Sequence, residues 1–158
     1  MDLSAQSNLF VATNAPAELQ VTMLKAANGE LAWPIGEAGA AVSWIASKGL
    51  AILGGEAWLV GPAPGIADLP PLGRDDAGHV IFGFIPFVGS STPAVRGWRV
   101  EDKQPHEEWD GFVARCQRES LAALAKEAEA IQREVPAATR DQLRYNLTFT
   151  SKDAYAEL

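Results

Sequence analysis

From Glu18 to Lys25 apolar and polar positions alternate, with Leu19, Val21 and Met23 on one side, and this period of two predicts a strand. Asn28-Gly29 is a turn signal, and Leu31-Ala32-Trp33 reads as the returning half of a hairpin. From Gly36 to Lys48 the period becomes helical, with Ala41, Trp44, Ile45 and Lys48 on one stripe and Gly49 as a C-terminal stop. Leu50 to Val60, dense in Ile, Leu, Trp and Val, predicts the next strand. Gly54-Gly55 inside it marks a bulge or a close backbone approach. His79 to Phe87 has apolar residues on both faces, which points to a strand in the middle of a sheet, with Pro86 at an edge or bulge. Gly89 to Pro93 turns the chain, and Val95 to Val100 makes a shorter strand containing Trp98.

The longest periodic segment follows. Pro105, Glu107, Glu108 and Asp110 suit a first helical turn, where acidic groups complement the helix dipole. Trp109, Phe112, Val113, Cys116, Ser120, Ala123, Leu124, Ala128 and Ile131 then fall on one stripe, and Val135-Pro136 ends it. Such a helix has about 29 residues and a length of roughly 44 Å, enough to cross a whole sheet. Gln142 to Thr150 alternates again, with Leu143, Tyr145, Leu147 and Phe149 against Arg144, Asn146, Thr148 and Thr150, and predicts a strand exposed on its polar face. Two segments carry no such period. Residues 1–16 read as a flexible N-terminal arm with one apolar knot at Leu9-Phe10-Val11, and 61–78, with Pro62, Pro64, Pro70 and Pro71, reads as a long exposed loop. Strands that follow one another without intervening helices favour a single α+β domain over 17–158. The expected architecture is an antiparallel or mixed sheet with a short helix and one long C-terminal helix packed on one face.

Composition narrows the function classes. The chain has 158 residues, 47% of them hydrophobic, which suits one folded domain with its own core. Thirteen Lys and Arg against 20 Asp and Glu give a formal charge of −7. That sign argues against nucleic acid or an anionic membrane surface as the partner. The single cysteine, Cys116, excludes an intrachain disulfide and a thiolate metal cluster. No secretory leader and no run of ~20 apolar residues is visible, so the expected compartment is the cytoplasm.

Signatures of catalysis are largely missing: there is no dinucleotide-binding glycine fingerprint, no phosphate-binding loop and no nucleophile elbow. Gly89-Ser90-Ser91 reads as a turn. His106 and Asp110 have i,i+4 spacing, but an exposed first-turn histidine explains them without a metal. Cys116 sits in the apolar stripe and reads as a small core hydrophobe. No catalytic residue, metal or cofactor is therefore expected. Glu56 is open to two readings, a carboxylate on the solvent side of a sheet or a buried acid with a raised pKa. Trp98, Glu101, Asp102, Glu107, Glu108, Trp109 and Asp110 form a second concentration. Helix-start electrostatics with two core aromatics explain part of it; a binding surface of aromatic anchors ringed by negative charge explains it as well.

Ala51-Ile52-Leu53-Gly54-Gly55-Glu56-Ala57-Trp58 resembles the glycine-glycine-acid strand of the bacterial Immunity protein 40 family. The preceding helix Gly36 to Lys48, the later Gly97-Trp98 and the segment Glu108-Trp109-Asp110-Gly111-Phe112-Val113-Ala114-Arg115 extend the resemblance over roughly residues 36 to 131. The chain departs from that pattern in having Glu56 for Asp, Trp58 for Tyr, and the segment Gly61 to Gly78. The resemblance implies a small cytoplasmic protein that neutralises a cognate toxin by binding it. A basic toxin domain is the expected partner, and Glu56, Trp58, Trp98, Glu101, Asp102, Glu107 and Glu108 are the candidate binding residues. The alternatives are a small enzyme using Glu56 with His79 or His106, and an assembly protein associated with phage or secretion.

Overall fold

One long strand organises the chain, because its two edges are shared among three others. The computed structural model describes residues 3–61 and 69–158. In chain order the elements are α1 (Leu3–Asn14), α2 (Ala17–Thr22), β1 (Leu24–Lys25), β2 (Leu31–Trp33), α3 (Ile35–Ser47), β3 (Ala51–Val60), β4 (Gly73–Arg74), β5 (Val80–Phe82), β6 (Gly97–Arg99), α4 (Trp109–Glu134), α5 (Ala137–Arg140), β7 (Leu143–Thr150) and α6 (Lys152–Tyr155). The sheet order is β1-β2-β7-β3-β5-β4, with β6 on the same edge of β3 as β5. All of these pairings are antiparallel. The fold is α+β, and α4 packs on the sheet beside α3. No helix among the described residues is long and apolar enough to cross a membrane.

Strand periodicity assigns the two faces. Leu143, Tyr145, Leu147 and Phe149 of β7 join Ala57 and Leu59 of β3 in the main core, against Ala41 and Ile45 of α3 and Phe112, Cys116 and Leu124 of α4. The opposite face holds a small second cluster of Ala26, Ala32, Trp58 and Ile81. β7 is less exposed on its polar side than its alternation predicts, since Asn146 and Thr150 are both buried. Pairing with β2 on one side and β3 on the other encloses the middle of the strand.

The start of the chain differs from the sequence expectation. Residues 3–14, expected as part of a loose arm, are helical, and Glu18 to Lys25 is a helix followed by a two-residue strand. Val11, Ala15 and Leu19 recur every four residues and are all buried, so one helical stripe continues across Pro16. Pro16 does not break the pattern; it caps it. Its carbonyl accepts from the amides of Leu19 and Gln20, and Pro34 and Pro136 open α3 and α5 in the same way. Val21, on the apolar side of the expected strand, is 83% exposed. The expected strand His79 to Phe87 is reduced to Val80–Phe82, paired on both edges, followed by an isolated bridge from Ile85 to Ala94. Of the expected loop 61–78, residues 62–68 lie outside the described residues, and β4 lies in the remainder. The long helix starts at Trp109, not at Pro105.

Gly54 and Gly55 are required by a close crossing. β6 pairs with β3 so that Gly55 faces Trp98 and Glu56 faces Gly97. A Cβ on Gly54 would lie 2.5 Å from the Trp98 carbonyl oxygen, and one on Gly97 would lie 2.5 Å from the Gly55 carbonyl oxygen. The pairing of β3 with β7 shifts register between Ile52 and Gly54, the bulge that the glycines signalled. Gly54→Ala is therefore expected to cost about 1–3 kcal/mol in urea denaturation, as overpacking against backbone does. Gly111, helical and with open space at its Cβ position, is the control, and Gly111→Ala is expected to be neutral or stabilising by up to ~1 kcal/mol. Equal stability of Gly54→Ala and the parent would contradict the crossing.

Candidate functional site

Because β3 alternates, Glu56 and Trp58 point away from the helices. Their neighbours across β7 on that face are Asn146 and Arg144, with Gly54 beside Thr148. A cleft of ≈ 680 Å³ opens on this face. Its floor is Gly54, Glu56, Asn146 and Thr148, and its walls come from Asn28 and Glu30, Leu72 to Arg74, Arg99, Val100 and Asp102, and Tyr155 with Leu158.

Within the cleft, Trp58 is 3% exposed, and its indole N–H donates to Glu56 Oε1 at 2.9 Å. The bond fixes the half-buried carboxylate, leaving Oε2 without a partner among the described residues. Asn146, 5% exposed, donates from Nδ2 to the Leu31 carbonyl at 2.9 Å. That bond sets the orientation of its amide, because a carbonyl demands the NH2 end and leaves Oδ1 on the other side. On sequence alone Asn146 falls on an exposed strand face and carries no binding role. Its acceptor, Leu31, is 115 residues away and belongs to a pairing that no local pattern reveals.

The other predicted binding residues separate. Trp98 borders the cleft, but its indole turns to the helix side of the sheet. Its ring lies over Gly55, where a Cβ would come within 2.3 Å of Cη2, and its Nε1–H donates to Ser120 Oγ of α4 at 3.1 Å. The indole thus joins the sheet to the long helix and is spent on the fold. Glu107 is likewise engaged: Arg115 binds both of its oxygens at 2.9 Å, and the Gln104 amide donates to it at 2.8 Å. The hydrogen bonds from Arg115, reinforced by the Gln104 amide, pull the Glu107 carboxyl down from its ordinary 4.5 to about 2. Arg115 also donates to the Glu101 and Asp102 carbonyls and to Glu119, so it clamps the 101–107 segment onto α4. Glu101, Asp102 and Glu108 stay exposed, and of these Asp102 borders the cleft, 3.8 Å from Arg99. Trp109 packs on Phe112 and Tyr155 and donates to the Gly49 carbonyl, a structural role.

Glu56 does not meet a histidine. His79 bonds Asp75 at 3.0 Å and lines a separate cleft with Lys25, Asp76 and Arg144. His106 is exposed and lines neither cleft. Burial would raise the Asp75 carboxyl, but the His79 amide and ring and the Ala77 amide outweigh it and hold it low. Cys116 is fully buried, and burial pushes its thiol up to about 11, so it stays a protonated core side chain. Among the described residues no group of three or more His, Cys, Asp or Glu is placed to hold a metal. A half-buried network that the sequence did not reveal lies on the helix side. Arg96 forks onto Glu127 at 2.8 and 3.1 Å, and the Tyr145 hydroxyl donates to Glu127 at 2.9 Å. Burial first, then the Glu127 charge, raises the Tyr145 hydroxyl far above its ordinary value, so it stays a donor.

No family model, no curated protein and no solved structure matches the chain.

The Glu107 clamp has a pH signature. A carboxyl held low stabilises the fold fully above its ordinary 4.5, and that contribution disappears as pH falls through about 2. Glu107→Gln is expected to reduce stability at neutral pH and to flatten the loss of stability between pH 4.5 and about 2, measured by urea denaturation at several pH values. Parallel pH profiles for the variant and the parent would contradict the clamp.

Proposed function

We propose that the chain is a non-catalytic binding protein of the immunity type, which neutralises a cognate bacterial toxin domain in the cytoplasm by covering it. The observation that carries this reading is the cleft on the sheet face away from α3 and α4, whose floor offers acceptor oxygens at Glu56 and Asn146 that have no partner among the described residues. Such a floor suits a partner rich in donors. The formal charge of −7 adds long-range attraction to a basic protein. The resemblance of Ala51 to Trp58 to the Immunity protein 40 strand supports the same class. The binding residues on this reading are Glu56, Asn146, Thr148 and Asp102. The exposed Glu101 and Glu108 lie on the flank, and Trp58 acts through Glu56.

An enzyme built on Glu56 is the second reading, favoured by a cleft volume in the range of small-molecule sites. Acid–base catalysis needs a second titratable group within hydrogen-bond reach. Neither His79 nor His106 lines this cleft, which weighs for the binding reading.

The test is co-expression with the toxin-like C-terminal domain of a protein encoded beside this gene, scored as bacterial growth. The parent chain is expected to restore growth and Glu56→Lys to lose protection, while Glu108→Gln keeps it. Association of the purified pair is expected to slow as salt rises, as electrostatic steering requires. Failure to restore growth, or full protection by Glu56→Lys, would overturn the reading.

A further inference from the structure

We propose that the cleft holds one arginine side chain of the partner, its guanidinium bonded to Glu56 Oε2 and Asn146 Oδ1; this rests on the binding reading above. Trp58 Nε1–H, the donor nearest the carboxylate, is already used on Glu56 Oε1. The Asn146 Nδ2 donor is used on the Leu31 carbonyl. What remains at these two side chains is one carboxylate oxygen and one amide oxygen, on adjacent strands at directly paired positions of the same face. Paired positions bring Cβ atoms to about 4.5–5.5 Å, so two such acceptors fall within the span of one ligand group.

Both acceptors are held in position. Asn146 is 95% buried or more and fixed by its bond to Leu31, and Glu56 is fixed by an indole that is itself enclosed. Little side-chain freedom is left to lose on binding. The basic residues on the walls do not occupy the floor: Arg74 donates to the Gly78 carbonyl, and Arg99 lies 3.8 Å from Asp102. A planar fork of donors can satisfy two acceptors at once and keeps its charge at every physiological pH, whereas a lysine ammonium acts as a point charge. This geometry selects guanidinium over ammonium.

The experiment follows the Trp58 indole N–H resonance in a 15N-labelled sample of the full chain, because that proton is bonded to the carboxylate that the ligand would engage. N-acetyl-arginine amide is expected to shift it saturably. The citrulline analogue, which has the same shape without the charge, is expected not to shift it, and the lysine analogue is expected to bind more weakly than arginine. Glu56→Gln keeps an acceptor for Trp58 but turns the second oxygen into a donor, and is expected to weaken arginine binding at least about tenfold. Equal response to arginine and citrulline, equal affinity for lysine, or no response to arginine would each overturn the proposal in the parent protein, whatever the variant does. The two proposals fail separately. Arginine binding without toxin neutralisation would sink the immunity reading alone, and neutralisation without arginine binding would sink this inference alone.

Discussion

The rest of the molecule depends on the close crossing of Gly54-Gly55 with Gly97-Trp98. Absence of side chains on one strand lets the other approach until a Cβ would strike backbone. That contact fixes the register of β6 on β3, and the register decides which side each later residue faces. It turns the Trp98 indole toward the helices, onto Gly55 and Ser120. By the same alternation it turns Glu56 and Trp58 the other way, onto the face that holds the cleft. One packing constraint thus divides the two tryptophans between fold and site, although the sequence offers them as equals.

The acidic residues divide in a similar way. Glu107 is clamped by Arg115, Glu127 is bonded by Arg96 and Tyr145, and Asp75 closes a turn with Ala77 and His79. These carboxylates act within the fold. Glu56 differs because its partner is an indole, which fixes the group without cancelling its charge. A negative total charge steers a partner from a distance, but the contact itself needs an acceptor that is both held and unpaid, and few of the acids meet both conditions.

Local patterns carried the parts of the fold that local forces decide. The Asn28-Gly29 turn, α3 with its stop at Gly49, β3 and the buried stripe of α4, apart from the exposed Ala128, all form where the local pattern puts them, and Gly29 and Gly49 both take positive φ. The errors come where one signal had two meanings. Pro16 read as the end of an arm, yet it opens a helix whose stripe continues from Val11 and Ala15 to Leu19. The alternation of Leu19, Val21 and Met23 matched a strand, but only Leu19 is buried, because the core lies where helical spacing puts it. In the site, Glu56 and Trp58 were legible from the glycines beside them. Asn146 was not, since its burial and its orientation both come from a strand at the other end of the chain. The partners of Trp98 and Glu107 were not legible either: Ser120, 22 residues from Trp98, and Arg115, eight residues from Glu107, are brought to them by the way α4 packs.

The central claim is that the cleft around Glu56 is where another protein binds. Mapping by NMR, on the 15N-labelled chain, the footprint of the toxin domain that the proposed function calls for tests it most directly. The account predicts that the amides of Glu30, Glu56, Asn146 and Thr148 shift or broaden on complex formation, while those on the outer surface of α4, such as Arg118 and Ala122, stay unchanged. A footprint on α4 or on the exposed Leu9, Phe10 and Val21, with the cleft amides unmoved, would contradict it.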